Sequence, residues 1–241
     1  MTTDRSGAAG ASLVSPAMRD RVRALATPIA RGLGRLGLTP NALTLIGFLG
    51  TCVAAFAAAS QAWLVAGVLV LVFGIFDLFD GTLARATGRA TKLGAFLDST
   101  FDRAGEAIVY VGIAVGCLAA GFELGAILAA SAMGAAFMVS YTRAKSESLG
   151  FTAGTGMAAV GLAPREVRIV LLVIGLIATE LLGGLALIYD PGFGGYKGGF
   201  ATFGDRDGSG ALAIALGLIT VLATLTTIQR ILHVRAQSRE G

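Results

Sequence analysis

The chain has 241 residues, 55% of them hydrophobic and only 14% charged, and its mean hydropathy is +0.77. A soluble domain carries roughly 25% charged residues, so this composition excludes an ordinary soluble fold and points to a bilayer protein. No span of about ten residues alternates with period two, which sets aside a β-barrel, and no RNA- or DNA-binding motif is present, so no nucleic-acid partner is expected.

In chain order, residues 1–15 open with "MTTDRSGAAGAS", small and polar, read as a disordered tail without a cleavable signal peptide. Over 16–37, Met18, Val22, Leu25, Ile29, Leu33 and Leu36 recur at helical spacing with arginines on the other side. That pattern predicts an amphipathic juxtamembrane helix lying on the cytoplasmic leaflet, bent near Pro28. "LTPN" follows, with Pro40 and Asn41 as start signals for the first crossing. Six apolar stretches, near 41–60, 61–86, 94–120, 123–149, 165–189 and 209–234, are each long enough to cross about 30 Å of hydrocarbon as a helix. The predicted fold is an all-α integral membrane protein: six transmembrane helices within 38–236, preceded by the interfacial helix and followed by a tail at 237–241.

Ala and Gly are frequent in these stretches and let membrane helices approach closely, so a tight bundle is expected. The Gly-rich segment 190–208 reads as a flexible connector. Cys52 and Cys117 fall inside predicted helices without metal-ligand spacing and read as small core residues. Lys and Arg collect in the N-terminal segment, around 85–92, around 143–168 and at the C-terminal end. By the positive-inside rule both termini are cytoplasmic. The net charge of +4 is therefore one-sided and suits anionic lipid headgroups or phosphates.

Against this apolar background stands "FDLFDGTLARATGRATKLGAFLDSTFDR", residues 76 to 103. On a helix Asp77 and Asp80 share a face at i and i+3, with Gly81, Ala84 and Arg85 along it. Asp98 and Asp102 are i and i+4 on the next helix, with Gly94 one turn before them. The short turn between the helices makes them antiparallel neighbours, so the four carboxylates are expected to converge near the cytoplasmic end. Like charges in a partly dehydrated place need a counter-charge. Mg²⁺ or Mn²⁺ supplies it and keeps positions for phosphate oxygens, and two such ions would clamp a pyrophosphate. A cation pathway and a prenyltransferase also place acids in membrane helices, and both remain open on the acids alone.

The full spacing, D-x2-D-G-x2-A-R-x8-G-x3-D-x3-D from Asp77 to Asp102, resembles the signature of the CDP-alcohol phosphotransferase family at all its fixed positions. The resemblance extends over the amphipathic start, "LTPN" and the six crossings. It implies transfer of a phosphatidyl group from CDP-diacylglycerol to an acceptor hydroxyl, with release of CMP, by a cytoplasm-facing site. It implies two Mg²⁺ or Mn²⁺ ions per active site on Asp77, Asp80, Asp98 and Asp102, with Asp102 also the general base. It gives Gly81 and Ala84 room for the cytidine, Arg85 the diphosphate, and Asn41 and Thr44 nucleotide contacts. A homodimer is the family habit.

The acceptor is read from the basic residues. Arg143, Lys145, Arg165, Arg168 and Arg230 follow in "SYTRAK", "APREVR" and "TIQR" on the same predicted side. Such a cluster suggests an anionic acceptor, a soluble phosphorylated alcohol held by arginine forks. The pattern resembles the phosphatidylinositol phosphate synthase branch, which implies inositol 1-phosphate held by Arg143, Arg168 and Arg230, with Lys145 and Arg165 in support. It departs from that branch in having Arg143 where Lys is usual and "APREVR" where an "ERPER"-like segment is usual. Glycerol 3-phosphate is the alternative acceptor. Glu106 extends the acidic stripe one turn further, as a support for the metal shell or a partner for a base such as Arg103.

Overall fold

The structure is a computed structural model that describes residues 27–151, 161–185, 188–190, 195–197 and 208–239. Helix α1 covers 27–35. It is followed by α2 (Pro40–Ala59), α3 (Trp63–Ala86), α4 (Lys92–Ala119), α5 (Glu123–Ser148), α6 (Arg165–Leu181) and α7 (Ser209–Gln237), with strands β1 (Ile188–Asp190) and β2 (Gly195–Lys197) between α6 and α7. The expected tail 1–15 and the first part of the expected helix 16–37 lie outside the described residues.

Local chemistry sets the helix starts. The Thr39 hydroxyl accepts the Ala42 N–H at 3.2 Å, and Pro40 stands at the first helical position, where its missing N–H costs nothing. Thr91 repeats the device for α4, accepting the Gly94 N–H at 3.0 Å. Between α3 and α4 the chain reverses through Gly88, at φ 64°.

Helix α2 packs on α3 and α4, α7 packs on α5 and α6, and the two halves meet where α3 touches α6 and α4 touches α5. Gly112 and Gly116 of α4 allow a close approach to α2: a Cβ at either would strike a carbonyl oxygen, of Ala55 or of Ala58. Small residues here do what the sequence predicts, bringing backbones together in a bundle. The core runs through Trp63, Tyr110, Ile113, Leu176, Leu212, Leu216 and Ile219, and Cys117 is buried in it as a free thiol. Outward faces are apolar as well, with Phe56 74% and Leu181 75% exposed, the reverse of a water-soluble surface.

Helices α2, α3, α5 and α7 are long and apolar enough to cross a membrane. The other two long helices fall short of that for different reasons. The first half of α4 carries Lys92, Asp98, Asp102, Arg103 and Glu106. Helix α6 has 17 residues, about 26 Å at 1.5 Å per residue. The expected crossing 165–189 therefore ends early, at Leu181. Gly183 and Gly184 take φ of 109° and 73° and stop the helix, because left-handed backbone cannot continue it.

Of the expected connector 190–208, residues 191–194 and 198–207 lie outside the described residues. Tyr189 pairs with Tyr196, and Ile188 with Lys197, in a short antiparallel ladder. β-Branched and aromatic residues flank the glycines there and favour a pleated pair. The fold is thus all-helical in its main elements, as expected, with one short two-stranded ladder among the described residues.

Helix α1 lies at the end of the bundle where α2 begins and α3 finishes. Ala30 is buried with Leu43 and Leu83, while Ile29 and Leu36 remain exposed.

Candidate active site

Three helix ends meet beside α1: the start of α2, the end of α3 and the start of α4. They enclose a cavity of about 180 Å³ whose lining includes Asn41, Thr44, Asp80, Gly81, Ala84, Arg85, Arg89, Gly94 and Asp98. Asp80 is the buried acid, 3% exposed. Its Oδ2 accepts the Thr44 hydroxyl at 2.6 Å, and its Oδ1 accepts the N–H of Gly81. These two donors orient the carboxylate. Thr44 reaches Asp80 from one turn inside α2, so the "LTPNALT" start and the acidic stripe are tied by a direct bond.

Gly94 keeps α2 and α4 close at this end, since a Cβ there would sit 3.2 Å from Oδ1 of Asn41. Gly81 is not required by packing in the same way: a Cβ would meet the Arg85 guanidinium at an ordinary 3.4 Å. What a methyl there would occupy is the cavity itself. Arg85 is exposed, with Nη2 3.5 Å from the Thr82 hydroxyl.

A second cavity, about 330 Å³, opens alongside. Its lining includes Asp102, Arg103, Ser140, Arg143, Arg165, Glu166, Arg168 and Arg230. Asp102 is therefore set toward this side of α4, and Arg165 Nη1 lies 2.8 Å from its Oδ2. One turn further, Arg168 Nε and Nη2 donate to the two oxygens of Glu106 at 2.8 and 2.9 Å. Arg168 Nη1 also donates to the Ala163 carbonyl at 3.1 Å. Arg103 Nη1 is 3.6 Å from Glu106 and is buried without a hydrogen bond. Arg230 Nη1 donates to the Val139 carbonyl, and Arg143 pairs with Glu147 at 2.8 Å in a half-exposed bridge. A pocket of about 20 Å³ bounded by Thr44, Thr51, Asp102, Glu106 and Arg165 lies between the two cavities.

The sequence of the family described as CDP-alcohol phosphatidyltransferase matches residues 37–193, which contain every one of these elements except Arg230. The chain belongs to the CDP-alcohol phosphatidyltransferase family. An archaetidylinositol phosphate synthase of Pyrococcus horikoshii is 38% identical over 171 residues, covering 71% of this chain and 86% of the relative. A phosphatidylinositol phosphate synthase of Cutibacterium acnes is 36% identical over 210 residues, covering 86% and 91%. The phosphatidylinositol phosphate synthase of Mycobacterium tuberculosis has a similar fold, seen in crystal structures with CDP-DAG bound and with manganese and citrate. Against the first, the TM-score is 0.66 at 25% identity, over 88% of this chain and 94% of that one. Against the second it is 0.67 at 25% identity, over 87% and 88%.

A CDP-alcohol phosphatidyltransferase is an enzyme, and with its apolar helices this one is a multi-pass membrane protein. Family membership displaces the cation-pathway and prenyltransferase readings. A manganese-bound relative makes the oxygen donors of this site relevant. The two cavities carry carboxylate, hydroxyl and amide oxygens and no sulfur or imidazole among the described residues. That donor set fits a hard divalent cation.

The expected acids are distributed as follows. Asp80 and Asp98 share the smaller cavity, Asp102 faces the arginines, and Thr44 lines both the smaller cavity and the small pocket that Asp102 also borders. The side chain of Asp77 lies outside the described residues. Among the described side chains no three acidic groups come close enough to hold one ion by themselves. Of the basic residues, Arg143, Arg165, Arg168 and Arg230 come together, and Lys145 is exposed and does not line their cavity. Glu106 pairs principally with Arg168 rather than with Arg103, because only Arg168 presents a planar fork to both its oxygens.

Sequence reasoning missed Ser140 and Glu166 as cavity residues. Both lie inside the quoted motifs "SYTRAK" and "APREVR", so their basic neighbours were the available signal. It also missed Arg89, which lines the smaller cavity from the turn after α3.

Proposed function

We propose that this chain transfers the phosphatidyl group of CDP-diacylglycerol to the hydroxyl of inositol 1-phosphate, giving phosphatidylinositol phosphate and CMP. The observation that carries this reading is the arginine-walled cavity holding Asp102, beside the smaller cavity holding Asp80 and Asp98. The relatives named above are synthases of archaetidylinositol phosphate or phosphatidylinositol phosphate, and one of them is seen with CDP-DAG bound, which supports the same acceptor and donor.

The smaller cavity takes the nucleotide diphosphate. The N-termini of α2 and α4 both end there, and their dipoles favour an anion. Gly81 and Ala84 leave a flat space for the cytidine, with Asn41 and Thr44 at its edge, and Arg85 supplies a charge for the diphosphate. Asp77, Asp80, Asp98 and Asp102 would hold two Mg²⁺ or Mn²⁺ ions, whose charge offsets that of the diphosphate.

The acceptor's phosphate rests among Arg143, Arg168 and Arg230, supported by Arg165. Asp102 takes the proton of the acceptor hydroxyl, whose oxygen bonds to the lipid-side phosphorus as the bond to CMP breaks. Arg165 links the two halves of this step, since it contacts Asp102 and walls the acceptor cavity.

In this reading all six long helices cross the bilayer, and the site and both termini face the cytoplasm. Helix α1 lies at the interface with Ile29 and Leu36 toward lipid, and the chain works as a homodimer.

The decisive assay measures CMP release from CDP-diacylglycerol with inositol 1-phosphate, glycerol 3-phosphate, serine and free inositol. The reading requires strong preference for inositol 1-phosphate. Preference for glycerol 3-phosphate would make the product phosphatidylglycerophosphate, and activity only with an uncharged acceptor would overturn the arginine pocket.

A further inference from the structure

The start of α6 is pinned by a side chain that does not line either cavity. The Ala163 N–H donates to the Thr226 hydroxyl at 2.9 Å, across 63 positions of sequence. Thr226 is fully buried in α7 and gives its own proton to the Leu222 carbonyl at 2.8 Å. A hydroxyl has one proton and two lone pairs, so with the proton committed to α7 the oxygen is left to receive Ala163. The next peptide is held as well, because the Ala163 carbonyl accepts Arg168 Nη1 at 3.1 Å. Two positions earlier, Gly161 has φ of +125°, and a Cβ there would run into the Thr226 methyl.

This contact lies next to the arginines. Pro164 caps α6 without a side-chain hydrogen bond, and Arg165 is the first helical residue. With no cap of its own, the first turn of α6 takes its position from the backbone just before it, and Thr226 holds that backbone. Arg165 then reaches Asp102 at 2.8 Å, and Arg168 reaches Glu106. A shift at Ala163 moves both guanidinium groups together.

We infer that Thr226 is a positioning residue for the acceptor: its hydroxyl fixes the register of the α6 start so that Arg165 and Arg168 stand correctly at the acceptor wall. The inference rests on the acceptor reading given above. It separates Thr226 from the residues of the diphosphate cavity, so its effect falls on one substrate only.

The test uses the full-length protein in lipid vesicles, with KM for inositol 1-phosphate and for CDP-diacylglycerol measured in Thr226→Val, Thr226→Ser and Gly161→Ala. Loss of one buried hydrogen bond is expected to raise the acceptor KM by about five- to tenfold in Thr226→Val. The KM for CDP-diacylglycerol stays within about twofold, and Thr226→Ser returns the acceptor KM to near the parent value. KM does not depend on how much enzyme is folded, so lower yield does not mimic this result. Gly161→Ala, which presses on the same threonine, is expected to raise the same KM, and it serves if Thr226→Val gives no folded protein. An unchanged acceptor KM in Thr226→Val, or equal rises for both substrates, overturns the inference. Arg143→Ala run in parallel tests the acceptor reading itself: no change in acceptor KM there sinks that reading, whatever Thr226 does.

Discussion

Arg168 holds both oxygens of Glu106, Nε to Oε1 at 2.8 Å and Nη2 to Oε2 at 2.9 Å, across 62 positions of sequence. The guanidinium is 1% exposed and the carboxylate 10%, so this pair joins α6 to α4 with little exposure to solvent. Burying two charges is costly, and the bidentate geometry and the Ala163 carbonyl offset that cost by engaging all three guanidinium nitrogens.

Removing one partner leaves the other charge uncompensated. Glu106→Ala is expected to destabilise the fold by about 3–5 kcal/mol, read as a lower midpoint of thermal unfolding in lipid-containing detergent. An unchanged midpoint would show that the pair does not hold the two helices together.

Thr44 gives Asp80 its hydroxyl bond at 2.6 Å. Thr44→Val removes a bond to a charged acceptor, worth about 1.5–3 kcal/mol. The expected outcome is a rise of about tenfold or more in the Mn²⁺ concentration for half-maximal activity, measured by metal titration of CMP release. A titration that overlays the parent would mean that Asp80 does not depend on Thr44 to hold metal.

Asp102 lies in the acceptor cavity and contacts Arg165. Asp102→Asn keeps the shape and removes the base, so acceptor-dependent CMP release is expected to fall by about 10²–10⁴-fold. Binding of CDP-diacylglycerol, followed by equilibrium titration, should change far less. Parental turnover would transfer the base role elsewhere.

Chelation provides an independent check of the donor set. Excess EDTA should abolish CMP release, and Mg²⁺ or Mn²⁺ should restore it, as expected for oxygen ligands. Full activity in chelator would overturn the metal-dependent reading.

Arg143 is half exposed and bridges to Glu147, so its charge reaches the acceptor through partly screened surroundings. Arg143→Ala is expected to raise the KM for inositol 1-phosphate several-fold, by less at high salt, because exposed charges are screened there. Initial-rate curves at two ionic strengths decide this.

Much of this molecule was legible in one dimension because its determinants are local. Thr39 and Pro40 mark the start of α2 by capping chemistry that needs no distant partner. The i, i+3 and i, i+4 spacings of the aspartates place them on helix faces whatever the helices pack against. The sequence reading failed where a local signal was ambiguous: Gly183 and Gly184 are tolerated inside apolar stretches, yet here their positive φ ends α6. The short pairing of Ile188–Asp190 with Gly195–Lys197 carried no local signal strong enough to stand out among the neighbouring glycines.

By itself, then, the sequence determined the bilayer-compatible helices, the acidic stripe and the family signature, all of which depend on near neighbours and on composition. Only the tertiary structure decided that Arg165 meets Asp102, that Arg168 rather than Arg103 takes up both oxygens of Glu106, and that Thr226 receives Ala163. The reason is physical: each of these contacts joins residues some sixty positions apart. Which of several arginines satisfies a buried acid depends on how closely glycine-lined helices pack, and on which planar fork then lies in range.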